Sequence, residues 1–310
     1  MKRCPITYDV IHGKENYSQR GLHLLSPQLH HLKPLSLSAS EQRTEGIARA
    51  GRMSIQGVQI KLSAQLKIKE EKFEIVDSDG RYILKPQSEY YPELPENEAV
   101  TMTLASMIDI EVPVHGLIYN KDKEMTYFIR RFDRTGRNKK IAVEDFSQLS
   151  MMSRDTKYNS SIEKAVKIVM TFCSFPKIES IKLLKLILFN YLVGNEDMHL
   201  KNFSLITQDK KITLSPAYDL LNTTIAQKNV KEELALPLNG RKNNLRKNDF
   251  IDYLAIKILQ LNEKTIESVL QKIASAIPQW KKFIEISFLS EAMKKKYLSL
   301  LEERIQKLNL

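Results

Sequence analysis

Residues 194–205 of the chain read Gly194-Asn195-Glu196-Asp197-Met198-His199-Leu200-Lys201-Asn202-Phe203-Ser204-Leu205. This polar segment follows a strongly apolar run, 178–193, whose length predicts a buried helix. Two short apolar runs, 203–206 and 212–214, stand on either side of a polar turn and predict a β-hairpin. The polar residues therefore lie on a loop between a buried helix and a hairpin.

The hairpin predicts that two oxygen-bearing side chains lie side by side. Asn202 precedes its first strand, and Asp219 follows its second strand in Ser215-Pro216-Ala217-Tyr218-Asp219. Because a hairpin returns the chain to its start, an amide and a carboxylate oxygen meet there, which suits a hard cation such as Mg²⁺. Asp197, on the preceding loop, would face a substrate hydroxyl. Phosphoryl transfer needs this combination of a base or orienting group and metal ligands.

The spacing alone leaves a second interpretation open. Asp-x-x-x-x-Asn is the spacing of kinase catalytic loops, but it also arises by chance. Asp197 and Asn202 can equally cap or turn an ordinary loop. The position between helix and hairpin favours the catalytic interpretation without deciding it.

The first half of the chain has the patterning of an antiparallel sheet that carries one helix. Apolar residues alternate with polar ones from Val58 to Ile68, which is a strand signal. The helix is predicted over Asn97–Met107. Further strands are predicted over 73–76, 82–85, 112–119 and 125–131.

Two charged residues of this half fit a nucleotide site. Lys85 ends an apolar strand, where kinases place the lysine that neutralises the α- and β-phosphates, and Glu98 at the start of the helix can pair with it. The simpler alternatives are a solvated lysine and a first-turn acid that interacts with the helix dipole. Residues 54–61, Ser54-Ile55-Gln56-Gly57-Val58-Gln59-Ile60-Lys61, offer backbone amides that can cover phosphates, although they contain a single glycine.

The second half is helical, which sets the predicted architecture. Helical spacing occurs at 162–169, and two amphipathic stretches, about 249–274 and 285–307, close the chain. A β-rich part followed by a helical part predicts an α+β chain with two lobes around a cleft. The predicted domains are a β-rich N-lobe, residues 1–134, and a helical C-lobe, residues 135–310.

Composition limits the class of protein. The 310 residues carry a net charge of +11, which favours nucleic acid, nucleotides or acidic proteins as partners. Two cysteines, Cys4 and Cys173, exclude a disulfide framework and a four-cysteine zinc site. No apolar run is long enough for a membrane span and the N-terminus lacks a signal-peptide core, so we expect a cytoplasmic protein with no membrane partner.

Seven ordered motifs resemble those of the HipA-type serine/threonine kinase toxins, from about Leu24 to the C-terminus. They are residues 54–63, 83–86, 97–98, 131–134, 144–146, 197–204 and 215–219. The resemblance implies a bilobal, protein-kinase-like fold that uses ATP and Mg²⁺. Seven motifs in the same order are far more specific than any one of them.

The resemblance also implies a role for each matching residue. Asp197 would be the catalytic aspartate, Asn202 and Asp219 would hold Mg²⁺, and Ser54 would be autophosphorylated. The implied ATP-binding residues are Lys85, Gln56, Gly57, Val58, Gln59, Glu98, Arg131, Phe132 and His199. Arg131 and Phe132 belong to the expected adenine-facing hinge, and His199 is either a phosphate contact or a loop histidine.

The same resemblance implies a biological setting. The family's toxins arrest growth by phosphorylating a translation component, here expected to be an aminoacyl-tRNA synthetase. Autophosphorylation at Ser54 would place a dianion at the phosphate site and so prevent ATP binding. The short segment before Ser54 resembles the compact HipT type, which implies a separate small antitoxin that replaces the N-terminal subdomain. A helix-turn-helix antitoxin would provide the DNA contact, which makes DNA an indirect partner.

Two other functions remain as alternatives. A small-molecule kinase of the aminoglycoside-phosphotransferase type shares the Asp-x-x-x-x-Asn logic, but the helical half has no acidic cluster suited to a cationic substrate. A non-catalytic nucleic-acid-binding protein would use the excess of basic residues. Its clearest basic run, Lys294-Lys295-Lys296, is most simply a solvated helix face, and no zinc-finger, helix-turn-helix or RNP signature is present.

Overall fold

The computed structural model describes residues 1–50, 59–136, 139–150, 160–227 and 232–310. Two compact units divide the chain. Unit 1 comprises Met1–Val100, Pro113–Asn138 and Ile286–Leu289, and unit 2 comprises Thr101–Val112, Lys139–Glu285 and Ser290–Leu310. The boundary expected at residues 134–135 stays a prediction.

Unit 1 is built on a five-stranded antiparallel sheet with the strand order β2-β1-β3-β5-β4. Its strands are β1 (Leu62–Lys67), β2 (Lys72–Ile75), β3 (Tyr82–Lys85), β4 (His115–Tyr119) and β5 (Met125–Arg130). Inward-facing side chains such as Leu62, Ala64 and Leu84 are fully buried, as the period-2 pattern predicts. Helix α1 (Gln19–Leu25) adds Leu22 and Leu25 to this core, and α2 (Ala39–Ala50) precedes the sheet.

Helix α3 (Leu94–Ser106) begins three residues before the predicted start at Asn97. Pro95, which precedes the predicted start, stands in the first turn, where a missing N–H costs no helical hydrogen bond. Glu98 is therefore an interior residue of the helix rather than part of its opening.

Unit 2 is mainly helical and contains a three-stranded sheet of order β10-β9-β8. The short strand β6 (Arg134–Thr135) belongs to unit 1. The elements of unit 2 after α3 are β7 (Lys139–Lys140), β8 (Ala142–Asp145), α4 (Phe146–Leu149), α5 (Ile162–Phe172), α6 (Pro176–Val193), β9 (Ser204–Gln208), β10 (Lys211–Leu214), α7 (Thr223–Ala226), a π-helix (Asp249–Ile258), α8 (Glu263–Glu285) and α9 (Glu291–Leu308). Helix α6 is buried on nearly all sides, as the apolar run predicts. Trp280 of α8 donates to the carbonyl of Leu104 at 3.0 Å, which fixes the end of α3 within this unit.

The structure differs from the sequence predictions in two places of unit 2. The amphipathic stretch 249–274 is not one helix, because the π-helix ends at Ile258 and α8 starts at Glu263. The predicted hairpin is confirmed, but β8 pairs with β9 as a third strand that its short sequence did not reveal. Within the described residues, no helix has the length and apolarity needed to cross a membrane.

Candidate active site

A buried ion pair joins the sheet of unit 1 to helix α3. Lys85, at the end of β3, donates to Glu98 with 2.5 Å between Nζ and Oε1, and the two side chains are 1% and 0% exposed. The Lys85 ammonium also lies 5.4 Å from the centroid of the Tyr127 ring. Two charges removed from water in this way cost more desolvation energy than a hydrophobic pair would. The alternatives of a solvated lysine and a first-turn acid therefore do not describe these residues.

In unit 2, the Asp197 loop is held by hydrogen bonds within the loop itself. Helix α6 ends at Val193 and is capped by Gly194, whose left-handed conformation (φ 68°) turns the chain into the loop. The Asp197 carbonyl accepts from the His199 N–H at 2.8 Å and from Asn202 Nδ2 at 2.9 Å. The Asp197 side chain is 46% exposed, so the loop presents its carboxylate to solvent while its main chain is fixed.

His199 points inward from the same loop. Its side chain is 7% exposed, and Nε2 lies 4.0 Å from Asp197 Oδ1. The proximity to Asp197 is compatible with either of the two roles expected from the sequence.

Hydrogen bonds around the hairpin bring the segments of Asn202 and Asp219 together. Tyr218 donates its hydroxyl to the Lys201 carbonyl at 2.9 Å, and the Ser204 hydroxyl lies 2.6 Å from the same phenol oxygen. Burial raises the pKa of Tyr218, which keeps this donor protonated. Tyr218, which precedes Asp219, is thus hydrogen-bonded to Lys201, which precedes Asn202.

The donor set of this segment fits a magnesium ion. Asn202 uses its amide nitrogen for the loop, so its amide oxygen would be the ligand atom, and Asp219 would supply a carboxylate from a left-handed backbone position (φ 54°). Mg²⁺ is typically held by one or two protein oxygens together with waters and substrate phosphates. Among the described residues, no group of three or more His, Cys, Asp or Glu side chains forms an all-protein metal cage.

The hinge and the phosphate-covering loop are only partly described. Arg131 makes a two-pronged ion pair with Asp133, at 2.9 and 2.7 Å, and its N–H donates to the Arg81 carbonyl. Its guanidinium is thus already engaged, and Phe132 beside it is half-buried. The predicted residues Ser54, Gln56, Gly57 and Val58 lie outside the described part of the chain, and Gln59 is half-buried at its edge.

Comparison with known proteins identifies the family. A protein-family model described as the HipA-like C-terminal domain matches residues 53–281. The chain belongs to the HipA-like C-terminal domain family. The resemblance inferred from the seven motifs is therefore confirmed.

The relatives of this HipA-like chain include kinases. A predicted kinase of Haemophilus influenzae is 32% identical over 258 residues, which cover 78% of this chain and 75% of that protein. The serine/threonine-protein kinase toxin HipA of Shewanella oneidensis is 27% identical over 251 residues, which cover 74% of this chain and 56% of the toxin. Homology therefore supports a kinase-like function.

A solved structure shows the same fold. The Shewanella oneidensis toxin–antitoxin complex of HipA, HipB and operator DNA matches with a TM-score of 0.71 at 22% identity, covering 91% of this chain and 74% of that chain. The predicted α+β, HipA-type kinase fold is confirmed.

Sequence reasoning missed some residues that organise the site. Tyr218 stands inside a quoted motif, but only the structure reveals its bond to the Lys201 carbonyl. Thr223 and Thr224 gave no signal, although both donate hydroxyl groups to the Gly194 carbonyl. Short polar residues that follow a motif are too common to be singled out by pattern.

Proposed function

We propose that this HipA-like chain is an ATP- and Mg²⁺-dependent serine/threonine protein kinase. The observation that carries the proposal is the buried Lys85–Glu98 pair at 2.5 Å. As a purely structural feature, such a pair is less stabilising than an apolar pair of similar size. In a kinase the pair has a catalytic role, because the glutamate orients the lysine that contacts the nucleotide phosphates.

The remaining roles follow from the chemistry of each side chain. Asp197 accepts the proton of, or orients, the substrate hydroxyl, and Asn202 and Asp219 hold Mg²⁺ against the phosphates. A further group forms the rest of the nucleotide site: Gln56, Gly57, Val58 and Gln59 over the phosphates, Arg131 and Phe132 at the adenine, and His199 near the transferred phosphate.

The biological setting is proposed from the family. Its relative in Shewanella is a kinase toxin, solved with HipB and operator DNA, which supports a DNA-binding antitoxin as a partner of this chain. We further propose, from the resemblance alone, a small second antitoxin, an aminoacyl-tRNA synthetase as target, and self-inactivation by phosphorylation of Ser54.

A labelling experiment tests the proposal against its alternatives. The purified chain is incubated with γ-labelled ATP, Mg²⁺ and a bacterial lysate heated to inactivate its own kinases. Label is expected on serine or threonine of proteins, lost in Asp197→Ala and retained in Glu267→Ala, which removes an exposed carboxylate of α8.

Other outcomes overturn the proposal. Label on a small molecule instead of protein would indicate the aminoglycoside-type kinase. An absence of transfer together with tight binding to nucleic acid would indicate the non-catalytic alternative. Equal transfer by Asp197→Ala would remove Asp197 from the reaction.

A further inference from the structure

Arg304 lies buried in helix α9, close to the Asp197 loop. It stands beyond residues 53–281, so the family match does not point to it. Its side chain is 5% exposed, and its guanidinium carbon lies 4.6 Å from the centroid of the Tyr191 ring in α6. A buried guanidinium needs acidic partners, because an uncompensated charge in this environment is strongly destabilising.

Its partners are two buried carboxylates. Arg304 Nη1 lies 2.7 Å from Oε1 of Glu233, and Nη2 lies 3.9 Å from Oε1 of Glu196, whose side chain is 5% exposed. Lys307 shares Glu233 at 2.9 Å. Lys307 also binds the exposed Glu303 at 2.7 Å, so the cluster holds two cations and three carboxylates. Removing Arg304 would leave its carboxylates further in excess.

Glu196 connects this cluster to the loop, because it directly precedes Asp197. Its N–H donates to Thr223 Oγ1 at 2.7 Å, and its Oε1 accepts from the Thr224 hydroxyl at 2.8 Å. Both threonine hydroxyls also reach the Gly194 carbonyl. Both the side chain and the main chain of Glu196 are thus held by hydrogen bonds to the threonines of α7.

Helix α9 also packs against Gly194 at the start of the loop. A Cβ atom built on Gly194 would clash with Cδ2 of Leu300, one turn before Arg304. Burial raises the pKa of Glu196 to about 7, against the hydrogen bond from Thr224 and the charge of Arg304, which lower it. Thr224 and Arg304 therefore both favour the ionised form of Glu196, against burial and the charges of Glu232 and Glu233.

We propose that Arg304 is a positioning residue for the Asp197 loop, which it anchors to α9 by neutralising Glu196. The guanidinium acts through Glu196 and does not touch the reacting groups. The inference rests on the proposed function for its catalytic consequence, but the anchoring itself concerns only the loop.

Hydrogen exchange tests the anchoring without reference to activity. The variants are Arg304→Met, Glu196→Gln, the two combined, and Lys295→Met as a control that removes an exposed cation of the same helix. In Arg304→Met, amides of residues 194–202 are expected to exchange at least about tenfold faster than in wild type, with α8 amides at 266–273 unchanged. The double variant has no uncompensated Glu196 charge, so its loop exchange is expected to return to the Glu196→Gln level.

Phosphate transfer from labelled ATP to lysate protein tests the consequence. Arg304→Met is expected to lower the maximal rate by about 10- to 100-fold, since a loop displacement of about 1 Å can cost that much, while the KM for ATP changes less than about twofold. The maximal rate of the double variant is expected to recover towards that of Glu196→Gln, and the maximal rate of Lys295→Met is expected to match that of wild type.

Three results would overturn the inference. They are unchanged loop exchange in Arg304→Met, equal acceleration in the loop and in α8, and a double variant whose losses simply add. If Arg304→Met fails to fold, the double variant and Thr224→Val decide by the same readouts. If Asp197→Ala transfers phosphate like wild type, the proposed function fails, while the exchange measurement still decides the anchoring.

Discussion

At the scale of single residues, the buried pair of Lys85 and Glu98 is a place where stability and the proposed function call for different side chains. The sequence singled out both residues and offered their pairing as one of two interpretations, because a kinase places a lysine at a strand end and a glutamate on the following helix. Their depth could not be predicted, since a lysine at a strand end is usually solvated. Only the packing of Tyr127 and α3 around the ammonium reveals it.

Replacing one partner of this pair is expected to be costly, whereas replacing both is not. Glu98→Leu leaves a buried ammonium and is expected to lower the free energy of unfolding by about 3–5 kcal/mol. The double variant Lys85→Met/Glu98→Leu is expected to regain most of this loss in urea unfolding, yet to transfer no phosphate. A double variant as unstable as Glu98→Leu, or one that keeps wild-type transfer, would contradict this interpretation.

Glu96 is expected to make stability depend on pH. Burial raises its pKa to about 7, while Gln87 lowers it by donating to both carboxylate oxygens at 2.8 Å. Because the folded protein then holds this proton more tightly than the unfolded chain, the free energy of unfolding falls as pH rises from about 4.5 to 7.

The measurement compares the wild type with Glu96→Gln in urea at pH 5 and pH 8. The free energy of unfolding of the wild type is expected to fall by on the order of 3 kcal/mol more than that of the variant between pH 5 and pH 8. Parallel pH dependence in the two proteins would show that Glu96 is ionised without cost in the folded state.

At the scale of elements, predictability followed the strength of the local pattern. Helix α6 was predicted from its apolar run, and the β9–β10 hairpin from two short runs around a turn. Strand β8 (Ala142–Asp145) has alternating half-buried residues and no long apolar side chain facing a core. The sequence has continuous helical periodicity over 249–274, but its first part, Asp249–Ile258, is a π-helix. The i→i+5 hydrogen bonds of a π-helix depend on tertiary packing and not on the spacing of apolar residues.

The junction between α6 and the Asp197 loop gives an element-scale prediction. Gly194 and Gly240 both have positive φ (68° and 74°), but only Gly194 is crowded by Leu300 and Thr224. Each Gly→Ala change costs about 1 kcal/mol of backbone strain, and the crowding at Gly194 is expected to add about 1–3 kcal/mol. Urea unfolding of Gly194→Ala and Gly240→Ala measures the difference, and equal losses would contradict tight packing at this junction.

At the scale of the whole molecule, the net charge of +11 suggested several polyanionic partners, and the motif order selected among them. Family membership could be predicted because seven weak motifs in sequence order are jointly specific. The phosphate-covering segment could be predicted only by resemblance, since a single glycine at Gly57 carries little information.

Under the proposed function, the chain transfers phosphate to protein hydroxyl groups through Asp197. The most direct measurement is quantitative phosphoproteomics after brief induction of wild type and of Asp197→Ala at equal protein levels. New phosphoserine or phosphothreonine sites are expected with the wild type alone, together with growth arrest and a phosphopeptide covering Ser54. Indistinguishable phosphoproteomes from the two proteins would contradict the account.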